Sequence, residues 1–162
     1  TLNWLLEAPH VEPVILTNSR GDKVRRTLSG LGLPMLPPDC AERAGQALRI
    51  LGDVRQYDMS VEWPPAGSQL PAFVQADDAR QVDLRRPVYY RALQRECQDV
   101  ATLAVVADGF SLAGSLPLEM GMPFFLVRAS YTPDWVIRYV ESHPLGHVLD
   151  NLGDLCPWVA RR

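Results

Sequence analysis

A chain of 162 residues with 47% hydrophobic and 22% charged residues suits one globular domain, large enough to bury about 70% of its unfolded surface. Its formal net charge of −3 opposes a nucleic-acid binder that works by neutralising phosphates, and its apolar runs fall well short of the ~20 residues of a membrane span. Cys40, Cys97 and Cys156 are too few and too scattered for a disulfide framework or a zinc knuckle, which fits a reducing cytoplasmic setting.

The chain opens on Thr1 within an amphipathic stub of Leu2, Trp4, Leu5 and Leu6 that stops before Pro9. A start inside a helix predicts a fragment, with more chain upstream. Residues 11–16 read as a buried strand, Pro13 being tolerable near its beginning. Asn18 or Ser19 caps a helix predicted over 21–31 by Val24, Leu28 and Leu31, which Gly30, Gly32 and Pro34 terminate. A proline-rich connection then leads to a short helix over 41–46 and a further buried strand over 47–52. Between 55 and 84 the apolar period changes to two. That predicts strands at 57–63, 72–75 and 81–84 in a small β insertion outside the main sheet, with a main-sheet place for 73–75 as the alternative.

Arg86-Pro87 opens a helix faced by Tyr89, Tyr90, Leu93 and Cys97, since proline suits the first helical position. The run Leu103 to Ala107 reads as a buried parallel strand. Asp108 stands just past its carboxyl end, where ligand chemistry sits in such sheets. A helix over 112–120, a strand over 124–127 and a helix over 135–142 follow. Beyond Pro144 the pattern is mixed, with a last helical turn near 149–155. This alternation predicts a layered α/β fold with a mostly parallel sheet.

Three stretches carry a resemblance. Val14-Ile15-Leu16-Thr17-Asn18-Ser19, Leu84-Arg85-Arg86-Pro87 with Tyr89 and Tyr90, and Val105-Val106-Ala107-Asp108 with Gly121-Met122-Pro123 resemble, in order and spacing, the second, third and fourth motifs of the haloacid dehalogenase-like hydrolases. The resemblance implies a Rossmann-like three-layer sandwich and Mg²⁺-dependent phosphatase chemistry on a small phosphorylated metabolite. It implies catalytic roles for Thr17, Arg86 and Asp108. Thr17, Asn18 and Arg86 (or Arg85) would bind phosphate, and Asp108 would hold the Mg²⁺. Each residue type suits its part. A hydroxyl and a helix amino terminus donate to an anion, a guanidinium neutralises it bidentately, and a carboxylate suits a hard cation. Thr17, Arg86 and Asp108 are then expected to converge on one anion-sized hollow.

The pattern departs from that family in two places. No strand ending in Asp-x-Asp, the family's nucleophile and general acid, precedes Thr17. The fourth motif has Ala107 for glycine and Leu112-Ala113 where a second acidic residue is expected. The missing strand belongs between those ending at Thr17 and Asp108. It lies upstream in the native polypeptide, is supplied by another chain, or is replaced by direct pairing of its neighbours. A non-catalytic domain for binding or assembly is therefore the alternative function, and an unrelated Rossmann-like domain a third. A homodimer stays open.

Plainer readings stand beside these: Thr17 as a strand-end hydroxyl, Asp108 as a helix cap, and Arg86 as a solvated helix-start arginine. His143 and His147 do not suit a metal pair, because Pro144 and Gly146 oppose the helix that would align them.

Overall fold

The structure, a computed structural model, describes residues 1–37, 46–97 and 99–160. Its elements in chain order are α1 (Leu2–Glu7), β1 (Val14–Leu16), α2 (Gly21–Gly30), β2 (Arg49–Leu51), β3 (Phe73–Asp77), β4 (Arg80–Asp83), α3 (Pro87–Glu96), β5 (Val105–Ala107), α4 (Ser115–Glu119), β6 (Phe124–Val127), α5 (Asp134–Ser142), β7 (Gly146–Leu149) and α6 (Cys156–Val159). A π-helical turn, Phe110–Gly114, leads into α4. Helices alternate with strands that include parallel pairs, so the class is α/β. No helix among the described residues is long and apolar enough to cross a membrane. The chain divides into two compact units, Thr1–Arg55 with Gly153–Arg162, and Gln56–Leu152.

In the first unit β1 pairs in parallel with β2, from Val14 opposite Arg49 to Leu16 opposite Leu51. The ladder starts at Val14 rather than at Val11, for Pro13 has no N–H to give it. A Cβ on Gly52 would lie 2.2 Å from the backbone nitrogen of Gly21, so the end of β2 meets the start of α2 backbone to backbone. Asp53 N–H donates to the Ser19 carbonyl and Val54 N–H to the Thr17 carbonyl, each at 3.1 Å, bracing the loop after β1. The predicted Asn18 or Ser19 cap is not formed. Arg20 takes the N-cap position of α2 without a side-chain bond. The helix expected over 41–46 lies, apart from Gln46, outside the described residues.

In the second unit β5, β6 and β7 form a three-stranded parallel sheet in that order. β6 is its centre, with Phe124, Phe125 and Leu126 all but sealed from solvent. One face of α5 follows the helical period and brings Val136 and Val140 to a core that also holds Phe110, Leu118, Phe124 and Leu126. β3 and β4 make an antiparallel hairpin of their own, so 73–75 is not part of the parallel sheet, yet Val82 joins that core.

Three expectations are corrected here. Residues 57–63 form no strand. Tyr57, Met59 and Val61 alternate correctly but are 56%, 60% and 89% exposed, with no neighbouring ladder to join. Residues 146–149, read as mixed, are strand β7. Gly-His-Val-Leu has a weak strand signature, and its ladder comes from β6. The helix expected from Leu112 begins earlier and wider, as the π turn at Phe110. That turn delivers the Phe110 ring to the core, where it lies 4.9 Å from the Tyr139 ring and 6.1 Å edge-on to Trp135.

Candidate functional site

Arg86 occupies the N-cap position of α3 with a non-helical backbone at φ −116°, directly before Pro87. The Arg86 side chain is only 3% exposed. Its Nη1 donates to Ser115 Oγ at 3.3 Å, while its Nε is buried with no acceptor. Arg85 makes the contrast. It grips Asp83 through Nη2 at 2.7 Å and Nε at 3.1 Å, and lies over the Phe73 ring at 4.8 Å. Hydrogen bonds from Arg85 hold the Asp83 carboxyl below its ordinary range. Asp83 is thus committed to Arg85, and among the described residues no carboxylate lies within ion-pair distance of Arg86. Burial pushes the Arg86 guanidinium down from its ordinary value, with Asp83 opposing at longer range. A guanidinium this buried stays charged, and an unpaired buried ion costs several kcal/mol. The sequence offered Arg85 and Arg86 as alternatives; their pairing separates them.

Around Arg86 the π turn leaves carbonyls for side chains to claim. Ser115 Oγ donates to the Ser111 carbonyl at 3.1 Å, and the Tyr89 hydroxyl donates to the Ala113 carbonyl at 2.8 Å. The segment from Asp108 to Ser115 is thereby tied to the start of α3. Burial pushes the Tyr89 phenol up, with Gln56 and Arg86 opposing weakly. A raised folded value means that Tyr89 contributes stability in full below its ordinary value of 10.0, and that this contribution is lost as pH rises beyond it. Absorbance of tyrosinate should therefore show the Tyr89 share appearing only with unfolding, above pH ~10, and Tyr89→Phe should flatten that alkaline limb while losing about 1 kcal/mol at neutral pH.

Asp108 follows β5 directly, as the sequence predicts, and is exposed. The Tyr131 hydroxyl donates to its Oδ2, and this bond pushes the Tyr131 phenol up. Asp108 therefore offers one carboxylate with an oxygen already engaged. Among the described residues no group of three His, Cys, Asp or Glu side chains could hold a metal ion. That donor set is too thin to hold Mg²⁺ by itself. In the first unit Thr17 Oγ1 accepts the Ser19 N–H at 3.1 Å, closing a turn ahead of α2, and Asn18 lies within that turn. Arg86 and Asp108 share the second unit, joined through the Asp108–Ser115 segment rather than by a direct bond.

Ser115 and Tyr131 escaped the sequence reading, and Tyr89 was read only as part of the third motif and a helix face. Ser115 meets Arg86 across 29 residues, Tyr89 meets Ala113 across 24, and Tyr131 meets Asp108 across 23. None carries a local signal. His143 Nδ1 accepts the Leu145 N–H at 3.2 Å and His147 stacks on Phe125 at 4.6 Å, each serving the local fold.

Parallel strands with an acid past β5 and a buried, unneutralised arginine define an α/β protein with a candidate anion site. Comparison with family models, curated proteins and solved structures finds no match to this chain.

Proposed function

We propose that this chain is a haloacid dehalogenase-like hydrolase, or the larger part of one, that recognises a small phosphorylated metabolite. The observation that carries the reading is Arg86, a buried guanidinium with an orphan Nε and no carboxylate partner among the described residues. Such a charge is stabilised by an incoming anion, and phosphate matches the guanidinium fork. The motif resemblance supplies the remaining parts. In the second unit Asp108 would face Mg²⁺ together with oxygens of the substrate and further carboxylates.

The second reading, a non-catalytic binding domain, is favoured by Asp108 standing without a companion carboxylate. One experiment separates them. The full-length protein is titrated with inorganic phosphate and separately assayed on an aryl phosphate with Mg²⁺. Phosphate-dependent stabilisation with turnover supports the hydrolase. Stabilisation without turnover across a metal panel selects the binding domain. Absence of both removes the phosphate reading altogether.

A further inference from the structure

The second unit also holds a cleft of about 540 Å³, within the range that takes a small organic ligand. Leu70, Pro71, Val100, Met120 and Met122 supply its apolar wall. Thioethers are polarizable and adapt to ligand shape. Its polar lining is Ser68, Gln69, Tyr90, Gln94, Cys97 and Glu119. Gln94 Nε2 donates to the Tyr90 hydroxyl at 2.7 Å, and the Tyr90 ring stands edge-on to Trp63 at 6.0 Å, so that corner is internally held. Glu119 is different. It is half-buried and lines the cleft, and its carboxylate neither ion-pairs nor hydrogen-bonds with any described residue. Its field reaches Tyr139, whose phenol is pushed up first by burial and then by this charge. No lysine or arginine is among the lining residues.

We infer that this cleft binds a small organic cation with an apolar or aromatic body, its ammonium group set against Glu119 and its body against Leu70, Pro71 and Met120. Charge complementarity chooses the ligand class. A lone carboxylate in a lining without lysine or arginine favours an ammonium and repels an anion. This inference stands apart from the phosphate reading, since it uses neither Arg86 nor Asp108.

Cys97 lines the cleft and is half-buried, whereas Cys156 belongs to the other unit, so the two report separately. The test labels the full chain with a maleimide and maps the rates at Cys97 and Cys156. It compares phenethylammonium with its neutral and anionic counterparts, phenethyl alcohol and phenylacetate. Phenethylammonium should slow labelling of Cys97 about tenfold at saturation and leave Cys156 unchanged, while phenylacetate at equal concentration does nothing. Glu119→Gln, which keeps the side-chain shape, should weaken the ammonium by about tenfold. Equal protection by all three probes, protection by none, or an ammonium effect untouched in Glu119→Gln overturns the assignment. The comparison of probes on the unmodified chain stands even where the variant folds poorly.

Discussion

Arg86→Met is expected to leave the chain as stable as before, or more stable by roughly 1–4 kcal/mol, while abolishing its response to phosphate. Methionine fills much the same space with an unbranched apolar stem and removes the buried, unneutralised charge. What it takes away is one bond of 3.3 Å to Ser115, whose hydroxyl keeps its bond to the Ser111 carbonyl. Urea unfolding with and without inorganic phosphate reads both effects. The unmodified chain should gain about 2.7 kcal/mol at a hundredfold excess of phosphate over its dissociation constant, and Arg86→Met should gain nothing. Should the variant instead lose about 3–5 kcal/mol with the phosphate effect intact, Arg86 is a structural clamp on Ser115 and the anion site is elsewhere. The expected pair of outcomes would mark Arg86 as kept for recognition at the cost of stability.

Phe124→Ala should destabilise the second unit by about 3–5 kcal/mol. The ring is fully buried at the centre of the core, and it meets Phe110 at 6.3 Å between centroids. It also explains Gly114. A Cβ there would sit 2.3 Å from Phe124 Cζ, which a buried aromatic cannot yield, so Gly114→Ala should cost about 1–3 kcal/mol. The two effects are coupled through one space. In the Phe124→Ala background the added methyl of Gly114→Ala has room, and the double variant should be more stable than additivity predicts by roughly 1 kcal/mol. Strict additivity would mean that the π turn is not held by this contact. The consequence reaches the site, because that turn carries the Ser111 and Ala113 carbonyls and leads into Ser115.

Local chemistry made much of the fold legible. Arg86-Pro87 announces α3, since proline fixes the first helical position and restricts the residue before it. The Phe124–Val127 run appears as a strand with the boundaries read from the sequence, because a continuous apolar segment of that length is buried on both faces. Asp134 opens α5 where the apolar spacing begins. Non-local partners explain the rest. Residues 57–63 carry a strand's alternation and remain irregular, while Gly146–Leu149 lacks that alternation and is a strand.

The sequence by itself therefore determined where several chain segments start and turn, and that Asp108 stands at the end of β5. Those are consequences of side-chain period, proline and glycine within a few residues. Tertiary structure decided which strands have partners, and that Asp83 neutralises Arg85 while no carboxylate among the described residues pairs with Arg86. Two adjacent arginines are indistinguishable as letters. Only the folded chain gives one a carboxylate and the other a desolvated pocket beside Ser115, since charge compensation depends on distance in space rather than along the chain.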